Sequence, residues 1–371
     1  MILKKIKLNN FRNYQSLNWE PKAGVNFITG FNAQGKTNLL EAVFLSGMGY
    51  SFRKKTSDVI KWGYDTAVVE SNFAYDSTIT EISVVIDRTN SKKLLIDGVS
   101  EKQKFMPGRF GIVLFKPDDL QIVNGPPLFK RNFIDYDIGH FNPIHIGNLT
   151  RYRRIVEQRN NLLRTGEINN DSFHTWNESF YKYGALILAE RIKILKKFIP
   201  LVKKSYAAIA GEDEELQMKY LSTLKINNQI NQEHLIKELF HEFIAEGKTR
   251  QKEELYKKQT VFGPHRDELV FFINNQDARH YASQGQIRSI VLALKTAQIN
   301  LFYLENGAYP LFLLDDVLME LDEKRQQYLL NLINSGYLQS FITTTALIDK
   351  KNIHADGVYL INKGTLKEVS V

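Results

Sequence analysis

Apolar residues recur along this chain with two different periods, and the change of period divides it into three parts. In the first part, Ile2 to Leu8 reads as a strand, and Val25-Asn-Phe-Ile-Thr29 is a short apolar strand ending in Gly30. Lys36 to Phe44 then reads as a helix, with Leu39, Leu40, Val43 and Phe44 on one face. Val68–Tyr75, Ile79–Asp87 and Lys93–Ile96 have the look of further strands, and Asp97-Gly98 fits a tight hairpin turn before Val99. Phe110–Phe115 closes this part as another apolar strand.

The middle is helical in pattern. Residues 151–164 place Tyr152, Ile155, Val156, Leu162 and Leu163 on one stripe. A longer amphipathic pattern runs from Ser172 to Ile199 through Trp176, Phe180, Tyr183, Ile187, Ile194 and Phe198, and Pro200 is expected to interrupt it. Residues 232–258 read as helical again. The last part returns to α/β. Leu269–Ile273, Leu311–Leu314 and Phe341–Thr345 read as strands, Gln286–Leu304 and Lys324–Ser335 as helices, and Gly357–Asn362 with Leu366–Val371 as a closing hairpin. The expected organisation is one α/β unit split in sequence, with parts at 1–120 and 263–371, and a mostly helical insertion at 121–262.

Composition narrows the chemistry. A length of 371 residues, 43% of them hydrophobic, suits about two domains and a sizeable core. The absence of cysteine excludes disulfides, thiol catalysis and Cys-ligated zinc or iron–sulfur sites. No run approaches the roughly 18 apolar residues of a membrane span, and basic residues break the apolar stretch that a signal peptide would need. A soluble, cytoplasmic protein without a membrane partner is expected. The net charge of +8 is uneven: residues 1–150 and 151–262 each carry +5, and residues 263–371 carry −2. That balance permits a polyanion partner without requiring one.

Three motifs carry chemistry. Gly30-Phe-Asn-Ala-Gln-Gly-Lys-Thr37 matches the phosphate-binding pattern G-x-x-x-x-G-K-[ST] and sits between a strand and a helix, as the chemistry requires. Loop N–H groups and the helix N-terminus can wrap phosphates. Lys36 would reach the β- and γ-phosphates, and the Thr37 hydroxyl would ligate Mg²⁺. Leu311-Phe-Leu-Leu-Asp-Asp316 would deliver two carboxylates to the C-terminal edge of a buried strand. Asp315 would hold Mg²⁺ and Asp316 would orient and deprotonate a water; the bland alternative is an Asp capping a helix. Ser283-Gln-Gly-Gln286 opens a helix as a second anion-binding surface, or as a plain capping box from Ser283 to Gln286.

The order of these motifs resembles the ABC-type ATPases: Walker A, signature, Walker B, and then Glu320-Leu321-Asp322 where their D-loop stands. A fuller resemblance, through most of the chain, is to the RecF family of bacterial recombination mediators. It rests on Leu8-Asn-Asn-Phe-Arg-Asn-Tyr14, Asn32-Ala-Gln-Gly-Lys-Thr-Asn38, Ser51-Phe-Arg53, Phe115-Lys-Pro-Asp-Asp-Leu120 and Gln158-Arg-Asn160, and on Gly263-Pro-His-Arg-Asp267, Ala282-Ser-Gln-Gly-Gln286 and Leu314-Asp-Asp-Val-Leu318. The region 165–260 matches only in helical character.

The resemblance implies an ABC-type P-loop ATPase head split in sequence, with an inserted mostly helical second lobe. It implies ATP and Mg²⁺ as cofactors, with nucleotide contacts from Gly30, Phe31, Asn32, Ala33, Gln34, Gly35, Lys36, Thr37 and Asn38. It also implies a head-to-tail homodimer in which Ser283, Gly285 and Gln286 meet the other copy's nucleotide. Lys36 and Asp316 would serve catalysis, and Thr37 and Asp315 the metal. The implied function is ATP-dependent gripping of duplex DNA near single-strand gaps, with RecR and RecO as partners in loading a recombinase. Hydrolysis would be slow and would release the DNA.

Departures accompany these matches. Ala33 stands where most ABC ATPases have glycine, Phe31 is bulky for its place, Asp316 replaces the usual Glu, and Met319 replaces a smaller residue. No residue is assigned to the Mg²⁺-contacting Gln, and Thr344 or Thr345 stands at the switch histidine position.

Some residues admit two readings. Gly263-Pro-His-Arg-Asp267 is either a polar junction near the nucleotide or between lobes, or a solvated turn with a surface Arg–Asp pair. Arg151, Arg153, Arg154, Arg159 and Arg164 share one predicted helix, Lys193, Lys196 and Lys197 the next, and Arg53-Lys54-Lys55 follows the P-loop helix. These are either phosphate contacts or solvated surface. An ABC-type ATPase of another system remains an alternative, although Lys36 and Ser283 lie 247 residues apart. So does an ATP-binding scaffold without hydrolysis.

Overall fold

The computed structural model describes residues 1–53, 56–75, 77–89, 91–101, 106, 109–139, 142–168, 171–211, 213–226, 232–345 and 355–369. In chain order the first elements are β1 (Ile2–Phe11), β2 (Tyr14–Trp19), β3 (Val25–Thr29), α1 (Lys36–Met48), β4 (Thr66–Tyr75), β5 (Thr78–Asp87), β6 (Lys92–Ile96), β7 (Val99–Glu101) and β8 (Ile112–Phe115). The middle holds α2 (Gln121–Asn124), α3 (Pro127–Asn132), α4 (Pro143–Thr165), α5 (Asp171–Ala210), β9 (Leu216–Leu221), α6 (Gln232–Lys257), β10 (Glu268–Ile273), β11 (Gln276–Asp277) and α7 (Ala278–Tyr281). The chain closes with α8 (Gln284–Asn306), β12 (Leu311–Asp315), α9 (Glu323–Ile333), β13 (Ser340–Thr344), β14 (Gly357–Asn362) and β15 (Thr365–Glu368). These elements form two compact units: Met1–Asp119 with Ala208–Ala210 and Gln284–Val371, and Leu120–Ala207 with Gly211–Ser283.

The first unit contains two six-stranded sheets. One runs β2-β1-β4-β5-β6-β7 and is antiparallel; the other runs β15-β14-β3-β13-β12-β8 and is parallel from β14 to β8. Helix α1 packs against strands of both sheets, so it is buried on nearly every side rather than along one stripe. The turn at Asp97-Gly98 has φ of 50° and 78°, as a tight hairpin requires. Trp19 of β2 meets Phe341 of β13 and Tyr359 of β14 edge-on, at ring separations of 5.5 and 5.1 Å. Such pairs add to the area that they bury.

The second unit packs α4, α5 and α6 around Phe180, which lies 5.6 Å from Tyr152, 5.6 Å from Phe243 and 5.2 Å from Phe262 by ring centroid. Helix α5 does not stop at Pro200. Pro200 is exposed, while Val202, Tyr206 and Ile209 beyond it are buried. Continued burial of the apolar stripe outweighs the hydrogen bond that proline removes.

Pattern reading also missed β9. Its residues pair antiparallel with β10, from Leu216↔Ile273 to Leu221↔Glu268. That pairing draws residues up to Ser283 into the second unit, so the first unit resumes at Gln284 rather than at 263.

Gly263-Pro-His-Arg-Asp267 is not a solvated turn. Gly263 has φ 104°, and a Cβ there would sit 2.5 Å from the Tyr152 hydroxyl. His265 Nδ1 lies 2.9 Å from the Tyr152 hydroxyl, and Nε2 lies 3.4 Å from the Thr260 carbonyl. Asp267 accepts the Tyr220 hydroxyl at 2.5 Å and the Thr223 N–H at 2.8 Å. Arg191 donates to the Pro264 carbonyl at 2.8 Å and to both oxygens of Asp135, each at 2.8 Å. Arg266 is exposed, but Gly263, Pro264 and Asp267 are buried and His265 is half-buried, so these four join a polar network inside the second unit. Burial raises the Asp135 carboxyl, but the charge and hydrogen bonds of Arg191, with His145 3.5 Å away, outweigh it and hold it at about 2.

Burial, with the neighbouring charge of Arg266, pushes His265 down from 6.5 to about 3. The unfolded chain therefore binds a proton below pH 6.5 that the folded protein refuses until about 3. Stability is complete above that window and falls as pH drops through it, by about 1.4 kcal/mol per pH unit for this one group. The urea midpoint should fall between pH 7 and pH 5, and less so in His265→Gln. Equal slopes in the two proteins would contradict this account.

Candidate nucleotide site

The loop that leaves β3 bends through Gly30 (φ 149°), Ala33 (φ 64°) and Gly35 (φ 118°) before α1 begins. Gly30 lies against the backbone of β14, where a Cβ would meet the Ile361 carbonyl at 2.4 Å. Ala33 takes the left-handed conformation that glycine adopts without strain. Lys36 is 5% exposed and folds back over the loop, donating to the carbonyls of Gly30 at 2.8 Å and Phe31 at 3.2 Å. The Phe31 side chain is 86% exposed.

Neighbouring residues brace the loop. Asn13 donates to the Gln34 carbonyl at 2.7 Å and accepts from Asn38 at 2.8 Å. The Tyr14 hydroxyl donates to the Gly35 carbonyl at 2.9 Å, and Gln34 Oε1 accepts the Lys363 N–H at 2.7 Å.

Strand β13 lies between β3 and β12, with Thr343 opposite both Ile28 and Asp315. This register places Thr37 and Asp315 at one sheet edge. Thr37 Oγ1 donates to Asp315 Oδ1 at 2.8 Å, and Thr343 Oγ1 donates to the same oxygen at 2.9 Å. Burial raises the Asp315 carboxyl, and the charge of Asp316 raises it further; Thr37, Thr343 and Arg53 act in the opposite direction. Asp316 turns off the strand with φ 53°, half-buried, its N–H bonded to Thr343 Oγ1 at 2.9 Å.

A hydroxyl and a carboxylate facing each other are hard oxygen donors, and a buried carboxylate favours a nearby cation. Among the described residues no cluster of three or more His, Asp or Glu could hold a metal alone. The residues present thus fit Mg²⁺ if phosphate and water supply its remaining oxygens. Thr37 and Asp315 would hold it, and its chemistry would be to neutralise phosphate charge.

A charged cluster beside the loop was not foreseen. Glu41 in α1 is fully buried and binds Arg12 through both oxygens, at 2.7 and 2.9 Å. It also accepts the Ser51 hydroxyl at 2.5 Å, and Arg53 lies 3.4 Å away. Arg53 donates to Asn38 at 3.0 Å and acts electrostatically on Asp315, so it belongs to the same sheet edge as Thr37 and Asp315. A lone carboxylate inside an otherwise apolar helix was the one available signal. Lys54 and Lys55 lie outside the described residues.

Ser283 immediately precedes α8, and Gly285 and Gln286 form its first turn. Asp322 caps α9 by accepting the Arg325 N–H at 3.0 Å and pairs with the Arg325 side chain. Arg325 also donates to Ser289 of α8 at 2.8 Å, which ties the D-loop segment to the helix that Ser283 opens. Met319 between them is 58% exposed.

The chain resembles known proteins along nearly its whole length. The profile described as RecF/RecN/SMC N terminal domain matches residues 2–364. "DNA replication and repair protein RecF" of Desulforamulus reducens is 39% identical over 374 residues, covering 99% of each chain. The protein of that name from Desulforudis audaxviator is 37% identical over the full length of both chains. A solved structure described as "Structure of the recombination mediator protein RecF-ATPrS in RecFOR pathway" superposes with a TM-score of 0.89 at 30% identity, covering 99% of this chain and 98% of that one. The chain belongs to the RecF family. Its fold is the RecF form of the ABC-type ATPase head, split in sequence by a mostly helical insertion.

Within this RecF-family chain the basic candidates separate. Arg151, Arg153 and Arg154 of α4 are exposed; Arg151 donates to the Tyr183 hydroxyl at 3.0 Å and Arg153 lies 5.0 Å from the Tyr136 ring. Arg159 on the same helix is 2% exposed and clamps Glu254 at 2.5 and 2.8 Å, against the ring of Phe180. It therefore cannot reach a phosphate. No helix among the described residues is long and apolar enough to cross a membrane.

Glu41→Ala should strand the Arg12 guanidinium and free Arg53. Breaking such a pair costs about 3 kcal/mol when it is buried, and less where, as here, the arginines are partly exposed. Urea denaturation should show a clear loss of midpoint, and a midpoint unchanged from wild type would contradict the assigned role of Glu41.

Proposed function

We propose that this RecF-family protein is a DNA-binding ATPase of recombinational repair, replication-fork maintenance and the SOS response, in which ATP closes a head-to-tail homodimer on DNA. The observation that carries the reading is the 2.8 Å contact between Thr37 and Asp315, which meet at one sheet edge from positions 278 residues apart. Lys36 would leave the loop carbonyls and donate to the β- and γ-phosphates, while the loop N–H groups from Gly30 to Thr37 wrap them. Arg53 would add a second positive charge on this edge. Asp316 would orient the attacking water and accept its proton; as an Asp rather than a Glu it reaches less far, which suits slow turnover. Ser283, Gly285 and Gln286 of a second copy would complete the phosphate shell from the opposite side.

ATP would act as a switch between two states of the pair, stabilising the closed one in proportion to its preference for it. Arg151, Arg153 and Arg154 would contribute salt-sensitive, sequence-independent contacts to duplex DNA near a single-strand junction. RecR, with RecO, would recognise the DNA-bound form in the cytoplasm and help to load the recombinase. The reading draws support from the RecF family and from relatives named for DNA replication and repair.

The test is retention of gapped duplex DNA with ATP·Mg²⁺, with ADP and without nucleotide, for wild type, Lys36→Ala and Asp316→Asn. Wild type should retain DNA only with ATP, and Lys36→Ala should lose at least about tenfold. Asp316→Asn should bind ATP, fail to hydrolyse it and hold DNA longer. Retention that ignores nucleotide in all three proteins would contradict the clamp and favour a scaffold.

A further inference from the structure

Thr343 lies one residue before the end of β13, fully buried, and its hydroxyl serves both carboxylate residues of the β12 edge. It donates to Asp315 Oδ1 at 2.9 Å and accepts the Asp316 N–H at 2.9 Å. The oxygen that it meets is the one that Thr37 also meets, at 2.8 Å. The Leu314 carbonyl lies 3.3 Å from the same hydroxyl, so its single hydrogen has two acceptors within reach.

Register explains why this hydroxyl can do so much. Asp315 is the last residue of β12 and pairs with Thr343 in the parallel ladder. At Asp316 the chain leaves the sheet with φ 53°, an unfavourable region for a residue with a Cβ. The Asp316 N–H therefore bonds to a side chain where a strand would have used a carbonyl. A single buried hydroxyl thus fixes the rotamer of one carboxylate and the backbone turn that aims the other.

We infer that Thr343 is a positioning residue that holds both the Asp315 carboxylate of the cation site and the turn that places Asp316. The inference rests on the nucleotide reading above. The hydroxyl hydrogen favours Asp315 while that carboxylate carries its full charge, and shifts toward the Leu314 carbonyl when that charge is shared with a cation. Asp316 hangs from the same oxygen in either case. Groups that orient a metal-binding carboxylate are worth about 10–100-fold in metal affinity or turnover. Neither Asp315 nor Asp316 alone suggests this role, and the run of threonines at 343–345 hides which one faces the site.

The test compares wild type, Thr343→Val and Thr343→Ser in two measurements. The first is ATP affinity in EDTA and in Mg²⁺, read with a fluorescent ATP analogue. The second is kcat and KM for ATP with gapped DNA present. Thr343→Val should bind ATP in EDTA as wild type does. It should lose about tenfold of the Mg²⁺-dependent gain in affinity and about tenfold in kcat, with KM in Mg²⁺ raised only as far as that affinity falls. Thr343→Ser should restore both. A valine variant equal to wild type in both measurements overturns the inference, as does a serine variant as impaired as valine. A wild type without any Mg²⁺-dependent gain overturns the nucleotide reading itself, and this inference with it. Thermal melting establishes that the variants fold; should the valine protein not fold, Thr343→Ala against Thr343→Ser makes the same comparison.

Discussion

Parallel pairing of β13 with β3 on one side and β12 on the other joins segments about 300 residues apart, and the edge that brings Thr37 to Asp315 exists only through that pairing. Strand β3 delivers the loop with Lys36 and Thr37, β12 delivers Asp315 and Asp316, and β13 sets the spacing between them. The strands lie about 4.8 Å apart, so two steps across the sheet bring a hydroxyl and a carboxylate within hydrogen-bond reach once the loop curls back. The sheet tolerates this because β3, β12 and β13 are almost wholly buried, with apolar residues on both faces. Helix α1 is held between two sheets, so the loop at its start is mounted on the core of the unit rather than on its surface.

Charge placement follows the same logic. Buried ionic groups are costly unless paired, and several of those described here are paired in a way that constrains geometry. Glu41 ties Arg12 and Ser51 beside the loop, and Arg53 leans toward it. In the second unit Arg159 pairs with Glu254 and Arg191 with Asp135, and the exposed side of α4 carries Arg151, Arg153 and Arg154. Lys295 and Asp119, 3.0 Å apart and both buried, fix the segment after β8 to α8 in the first unit. These pairs specify how elements meet, while apolar packing around Phe180 in one unit and α1 in the other supplies most of the stability.

Much of the edge that joins Thr37 to Asp315 was legible in the sequence because its signals are local. A strand, a glycine-bounded loop and a helix follow one another at Val25–Met48, and four apolar residues precede two carboxylates at Leu311–Asp316. What could not be read was set by contacts across long separations. Asn13 and Tyr14 brace the loop from a neighbouring hairpin, and Thr343 reaches Asp315 only through strand register. The short strand Leu216–Leu221 alternates for too few residues to stand out between two long helices. The helix through Pro200 depends on burial that no local rule reveals. Arg159 shares a helix with exposed arginines, and only its phase on that helix, facing Phe180, separates it from them.

The central claim is that ATP joins two copies through the P-loop of one and the segment at Ser283 of the other. Sedimentation velocity of wild type and Ser283→Arg, with and without ATP·Mg²⁺ and a short DNA duplex, tests it most directly. A dimer that retains DNA is expected only in the presence of ATP, and no such dimer in Ser283→Arg. A wild type that stays monomeric under every condition and retains no DNA would contradict it.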